Sequence, residues 1–382
     1  MKRSTAISAC ALLALPMSAC GSSDDSSDSK TITVTSSAKD CKLSATKAGS
    51  GTLKFRVKNS DSKVTEFYLY KENGTSIVGE VENIGPSLSR ELVVTVAPGT
   101  YVTACKPGMK GDGIRADFTV TDSGEATSAS DAEQANIDRA TAGYATFVKH
   151  EAEELLEETT AFVAAYKAGD DDKARALYPT ARMHWEAIEP VAESFGDLDP
   201  KTDLREADLE PGQKWTGWHR IEKDLWPPAS SYKPLTSAER VTYADDLLAN
   251  ITTLHTRVQT TKYDVTQLGN GSKELLDEVA TGKITGEEEI WSHTDLYDFQ
   301  ANVDGAKEAF ELLEPILESK DEELEEQIDK AFDALQTLLD KYKQGDGFIS
   351  YDKVTAPQRK ELSDAVNALS EPLSKMTGVI TS

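Results

Sequence analysis

The chain changes chemistry near residue 130, and that break limits its fold more than any other feature. Residues 1–130 carry 15 Lys+Arg against 14 Asp+Glu, whereas residues 131–382 carry 26 against 52. All five His and all five Trp also lie in the second part. Stretches so unlike predict separate domains of different architecture, and a length of 382 residues accommodates two or three. With 38% hydrophobic residues there is enough apolar material for real cores. The formal net charge of −25 repels polyanions, which argues against a nucleic-acid partner and points to cations.

The N-terminus reads Met1-Lys2-Arg3, an apolar run through Ala11 to Leu15, then Met17-Ser18-Ala19-Cys20. A basic start, a short apolar stretch and small residues before a cut predict a secretory signal over 1–19. Small residues directly ahead of Cys20, with Gly21 and a Ser/Asp tract to Lys30 behind it, are similar to a bacterial lipobox. That resemblance implies lipidation at Cys20 and a flexible tether over 20–30. No other segment approaches the ~18 consecutive apolar residues of a spanning helix. The expected placement is extracytoplasmic, anchored by lipid to the cell membrane on its periplasmic or cell-surface side.

Residues 31–122 alternate with the strand period, as in Thr31-Ile32-Thr33-Val34-Thr35, Leu53-Lys54-Phe55-Arg56-Val57, Val93 to Val96 and Ala116 to Val120. Turn signals at Asn73-Gly74, Pro98-Gly99 and Pro107-Gly108 punctuate them, so this part reads as a small all-β sandwich. Cys41 and Cys105 are the cysteines left once the signal is removed. In an oxidising compartment they form one disulfide or serve as thiolate metal ligands. The order Pro98-Gly99-Thr100-Tyr101, Cys105, Pro107-Gly108-Met109, then a last strand, resembles the cupredoxin family, whose corresponding loop carries metal ligands. A blue-copper centre needs two imidazoles and a thiolate, and residues 1–130 contain no His. Glu66 stands where the cupredoxin pattern usually has its first His. One expectation is therefore a modified copper or iron site of Cys41, Glu66 and Cys105, extended by Met109 or Asp112. The other is a metal-free sandwich with a Cys41–Cys105 disulfide.

Residues 123–131 are small and polar, as a linker should be, and Ser130 with Glu133 forms a capping-box signature. From 132 to 382 apolar residues recur every three or four positions, which predicts an all-α bundle of seven or eight helices. Glu186-Ala-Ile-Glu189-Pro190-Val-Ala-Glu193-Ser194 is echoed by Glu311-Leu-Leu-Glu314-Pro315-Ile-Leu-Glu318-Ser319, which suggests duplicated four-helix bundles.

Bundle interiors hold metals with carboxylates and imidazoles spaced to share one helix face. Glu186 with Glu189, and His219 with Glu222, have that spacing. A second His-x-x-Glu, His150 with Glu153, lies in a run of acidic residues and reads as a solvated face. His219 is flanked by Trp215, Trp218, Ile221 and Trp226, so its helix is expected to be buried. A buried His and Glu must then pair with each other or ligate. Carboxylate and imidazole ligands suit iron, manganese or zinc.

Three segments carry a further resemblance: Glu189-Pro190-Val191-Ala192-Glu193-Ser194-Phe195-Gly196-Asp197-Leu198-Asp199-Pro200, Gly217-Trp218-His219-Arg220-Ile221-Glu222-Lys223, and Ser292-His293-Thr294-Asp295-Leu296-Tyr297-Asp298-Phe299. They resemble the imelysin-like family, and the whole layout resembles its EfeO-type iron-uptake lipoproteins. The resemblance implies an iron-binding protein, not an enzyme, with metal ligands at Glu186, Glu189, Asp203, His219 and Glu222, and Glu287 as a further candidate. It leaves the roles of His293, Asp295 and Asp298 open. It also implies a membrane iron permease and a haem-containing peroxidase as partners, with zinc as an alternative metal. A metallopeptidase is the rival reading, because imelysin relatives have been classed so, although neither His-Glu-x-x-His nor His-x-x-Glu-His occurs. Binding of an acidic polysaccharide through a bridging cation faces the same charge repulsion as nucleic acid.

Overall fold

The computed structural model describes residues 31–124, 130–228 and 232–381. The expected signal over 1–19, Cys20 and its tether over 20–30, and linker residues 125–129 lie outside the described residues.

Nine strands form two facing sheets. The first has the order β2-β1-β4-β7, from β1 (Thr31–Ser37), β2 (Asp40–Leu43), β4 (Gly51–Asn59) and β7 (Ser89–Val96). The second has the order β3-β9-β8-β5-β6, from β3 (Lys47–Gly49), β5 (Thr65–Lys71), β6 (Ile77–Ile84), β8 (Gly99–Pro107) and β9 (Ile114–Thr121). β1 runs parallel to β4 and β3 parallel to β9, the other pairs being antiparallel. Alternate residues of each strand turn inward. Val34, Phe55, Val57, Phe67, Leu69 and Phe118 thus make the sandwich core. The Phe55 ring centre lies 5.3 Å from that of Phe67 and 5.5 Å from that of Phe118.

β5 departs from a simple alternation, since Thr65 through Tyr70 are all buried. Phe67 and Leu69 face the sandwich core. Glu66, Tyr68 and Tyr70 occupy the opposite face, and Glu80, the register partner of Tyr68, shares a cavity wall there with Pro190, Val191 and Glu274 of the following domain. That second face is covered by protein and not by water.

The helical domain comprises α1 (Asp131–Ala168), α2 (Asp171–Glu186), α3 (Glu189–Glu193), α4 (Asp199–Thr202), α5 (Trp218–Leu225), α6 (Ser237–Val258), α7 (Val265–Thr281), α8 (Asp295–Leu339) and α9 (Ala356–Ile380). Ser130 Oγ accepts the Glu133 N–H at 3.2 Å, but the Glu133 carboxylate pairs with Lys320 at 2.8 Å, so half of the expected capping box forms. α1 packs on α2, α6 and α8, whereas α7, α8 and α9 pack on one another. The 45-residue α8, bent at Asp321, belongs to both groups, and one continuous apolar core runs through them. The two copies of the sequence echo differ in conformation. The first breaks after Glu186 and restarts at Glu189 in α3, and the second runs on as helix through Pro315.

The domains dock through α7. Asn270 Nδ2 donates to Val93 O at 2.7 Å, Thr266 Oγ1 accepts from Thr95 N at 3.2 Å, and Arg90 pairs with Asp277 at 2.7 Å. Gly196 (φ +67°) meets the β5–β6 turn so closely that a Cβ would stand 1.9 Å from Thr75 O, so this contact needs glycine.

Candidate metal centre

α5 is delivered to the core by the residue before it. Gly217 has φ +87°, and a Cβ there would lie 2.0 Å from Thr202 O. Only glycine lets α5 approach the end of α4 in that conformation. Trp218, Ile221 and Leu225 then pack into the apolar core. Along with them His219 and Glu222 are carried inside, 1% and 0% exposed.

Four carboxylates surround the His219 ring. Nδ1 lies 3.3 Å from Glu222 Oε2 and 3.9 Å from Glu289 Oε1. Nε2 lies 3.3 Å from Glu288 Oε1 and 3.4 Å from Asp203 Oδ1. The two sides of the ring differ in what holds their carboxylates. Glu222 Oε1 accepts the backbone N–H groups of Trp291 at 2.9 Å and Ser292 at 2.8 Å. Glu289 accepts from Tyr178 Oη at 3.1 Å and Ser292 Oγ at 2.7 Å. On the Nε2 side, Asp203 and Glu288 line a cavity of about 220 Å³.

Two buried cations balance part of this charge. Arg182 is wholly buried and contacts Glu186 and Asp203, with Nε 2.7 Å from Glu289 and 3.5 Å from Asp298. Lys283, 3% exposed, contacts Glu186 and reaches Glu189 at 2.8 Å and Glu278 at 3.2 Å. Against these stand eight carboxylates: Glu186, Glu189, Asp203, Glu222, Glu278, Glu288, Glu289 and Asp298. Both oxygens of Asp298 lack a hydrogen bond among the described residues. Burial pushes the Glu289 and Asp298 carboxyls up, Glu222 adding to the effect on Glu289. Burial also pushes Glu288 up, but the His219 hydrogen bond and the Lys283 charge outweigh it and hold the carboxyl well below the usual range. A site so rich in anions, with one imidazole and no thiolate, can take up a hard or borderline cation.

Of the expected ligands, Asp203, His219 and Glu222 come together. Glu186 is adjacent but held by Arg182, Lys283 and the Nδ2 of Asn302. Glu189 joins Glu193 and Glu278 in a separate cluster. Glu287 is corrected: its side chain is 54% exposed, and Glu288 and Glu289 turn inward instead. Three consecutive glutamates in a non-helical loop give no periodicity by which to choose among them. Arg182 and Lys283 were missed as well, although Arg182 precedes Glu186 by one helical turn, a spacing that places both on one face. Asp295 Oδ1 accepts the Glu289 N–H at 3.2 Å and so helps to shape the loop. His293, in the left-handed region at φ +58°, contributes its backbone carbonyl to Tyr351 N at 2.9 Å.

Of the two expectations for the β-domain, the disulfide forms and the modified copper or iron site does not. Cys41 and Cys105 are joined in a disulfide linking β2 to β8, and hence one sheet to the other. Cys105 is the register partner of Phe67 and lies in the sandwich core, whereas Glu66 is paired with Lys106 on the opposite face. Residues adjacent along a strand point to opposite sides of the sheet, so Glu66 and Cys105 cannot converge on one ion. Asp112 is exposed, and Met109 lines the 220 Å³ cavity instead.

Comparison with known proteins agrees with this two-domain picture. The imelysin family matches residues 140–376, and the cupredoxin-like domain matches residues 8–120. An Efem/EfeO family lipoprotein of Staphylococcus haemolyticus is 49% identical over 249 residues, covering 64% of this chain and 85% of the relative. One from Staphylococcus aureus (strain MRSA252) is 47% identical over 255 residues, covering 66% of this chain and 88% of the relative.

Proposed function

Since this chain belongs to the EfeM/EfeO family of lipoproteins, with an imelysin domain behind a cupredoxin-like one, we propose that it captures iron outside the cell and delivers it to a membrane permease. The observation that carries this reading is the convergence of His219 Nε2 with Asp203 and Glu288, two carboxylates that line the 220 Å³ cavity. Iron, the cargo, would be held there by hard oxygens and one nitrogen, a set suited to ferrous or ferric ion. Zinc would fit the same donors.

The residues divide the work. Glu222, its outer oxygen held by two backbone N–H groups, orients the ring through Nδ1 and leaves Nε2 for the ion. Arg182 and Lys283 keep the surplus carboxylates from repelling one another apart in the unloaded state. Lipidation at Cys20 would hold the loaded protein beside its permease, and a haem-containing peroxidase is the further partner that the family resemblance implies. No helix among the described residues is long and apolar enough to cross a membrane.

A peptidase needs a positioned base beside the metal. Beside the ion at Nε2, Asp203 is already paired with Arg182 and accepts from Trp185 Nε1 at 2.9 Å, and Glu288 lies 3.4 Å from Arg205, so neither stands free as a base, which favours binding over hydrolysis. The test is an aerobic and anaerobic iron titration of the two-domain protein against His219→Ala and Asp203→Asn. Stoichiometric binding lost in both variants, with helicity retained, supports the reading. Unchanged binding in both sinks it.

A further inference from the structure

The two sheets of the sandwich differ in charge. Strands β3, β5, β6, β8 and β9 hold four basic and four acidic residues, whereas β1, β2, β4 and β7 hold five basic residues against Asp40 and Glu91. Most of that excess lies on one face. Leu53, Phe55 and Val57 of β4 pack in the core, so the alternating Lys54, Arg56 and Lys58 point out of the sandwich. Cys41 of β2 packs against the same core, which turns Lys42 outward as well. Register sets Lys42 and Lys58 on either side of Thr35, so cations flank a strand whose own outward residues are uncharged threonines. Glu91 pairs with Lys54 at 3.4 Å and with Arg56 at 2.6 Å. Lys42 and Lys58 have no ion pair among the described residues. Toward α7 and α9 the face opens into a cleft of about 1010 Å³, where Lys54, Arg56 and Lys375 are among five basic residues set against three acidic ones.

The same face lies at the start of β1. Thr31, the first residue of that strand, is the register partner of Lys54. Cys20 precedes Thr31 by 11 positions, a reach of at most about 40 Å even at full extension. A lipid at Cys20 therefore keeps this face close to the bilayer, and charge decides which way the protein turns. Anionic headgroups attract Lys42, Arg56 and Lys58, and they repel residues 131–382, which hold 52 acidic residues against 26 basic ones. Screening confines that field to about 8 Å in physiological salt, so it orients a tethered protein and does not recruit a free one.

We propose that the outer face of β1, β2 and β4 lies against the anionic phosphate headgroups of the membrane that anchors the chain. The protein then stands on its β-domain, and the acidic helical domain is held off the same headgroups. This orientation rests on the lipidation read at Cys20. The lipid supplies proximity and the basic face supplies direction.

The lipoprotein purified from membranes would be reconstituted in vesicles of phosphatidylcholine with or without phosphatidylglycerol, and its lysines acetylated sparingly and read by mass spectrometry. Lys42 and Lys58 should react about threefold more slowly on the anionic vesicles, a difference that high salt removes. Lys330 and Lys360, exposed on the helical domain, should react alike on both. Arg56→Glu/Lys58→Glu should abolish the protection of Lys42 and leave iron binding unchanged; should that variant unfold, Lys58→Glu alone is read in the same way. Equal reactivity of Lys42 and Lys58 on the two vesicles would overturn the proposal, as would protection of Lys330 and Lys360 in their place. Protection reproduced by inorganic phosphate without vesicles would overturn it too, making the face a free-anion site. The anchor is tested apart, by the mass of the purified chain. A chain without lipid at Cys20 refutes the anchor, and coupling Cys20 to a maleimide lipid then puts the face to the same vesicle comparison with the same outcomes.

Discussion

His219 Nδ1 lies 3.3 Å from Glu222 Oε2, and the other oxygen of that carboxylate is taken by the backbone N–H groups of Trp291 and Ser292. The sequence motif His-x-x-Glu suggests two ligands of equal standing, whereas this geometry makes Glu222 a positioning residue. Glu222→Gln should weaken iron binding by about 10- to 100-fold, the usual cost of losing an orienting partner. Asp203→Asn should cost more, because it removes an oxygen on the Nε2 side. Competition titrations against a chromogenic chelator would rank the two. Equal losses would restore Glu222 as a direct ligand.

Arg182 is surrounded by Glu186, Asp203, Glu288, Glu289 and Asp298 with none of its surface exposed. Replacing one partner of a buried network leaves the others uncompensated, at about 3–5 kcal/mol. Arg182→Met should therefore destabilise the apo protein by about that amount in urea unfolding. Saturating iron should recover part of the loss, since a bound cation restores positive charge. A variant as stable as wild type would show that these carboxylates are largely protonated without the arginine.

Much of this was legible in the sequence, and the parts that were not have physical reasons. Strand alternation revealed the sandwich because its inner and outer residues differ, and Trp218 and Ile221 beside His219 showed that α5 would be buried. Glu66 misled because it was placed by its position in the cupredoxin pattern, whereas in β5 it lies on the face of the sheet opposite Cys105, beside Lys106. Glu288 and Glu289 stayed hidden because a loop carries no period. The separation of Glu189 from Glu186 depends on the helix break at Ala187 and Ile188, which the spacing of three conceals.

The carboxyls at the domain junction set a pH dependence. Burial, helped by Glu82, pushes Glu66 and Glu274 up to about 8 from an ordinary value of 4.5. Between those values the folded protein holds protons that the unfolded chain has released, so stability falls as pH rises. The contribution is complete below about 4.5 and lost on passing through about 8. Metal-free protein should thus unfold at higher urea near pH 5.5 than near about pH 8.5. The low-lying Glu288 and Asp277 act in the opposite sense only nearer pH 4, outside that window. Stability that is flat or rising over the interval would mean the junction carboxyls are ionised and compensated in the unloaded state.

The Cys41–Cys105 disulfide closes a loop with a sequence separation of 64 and ties the two sheets of the sandwich together. By loop-closure entropy a cross-link of that span stabilises by about 4 kcal/mol. Cys41→Ser/Cys105→Ala should accordingly lower the melting temperature of the β-domain while iron binding at His219 persists, because both cysteines lie in the other domain and neither touches the His219 cluster. Differential scanning calorimetry alongside iron titration separates the two effects. Loss of iron binding in the double variant, with α-helical content unchanged, would instead assign the β-domain a direct part in holding the ion, and would return the search for ligands to its outer face at Glu66 and Glu82.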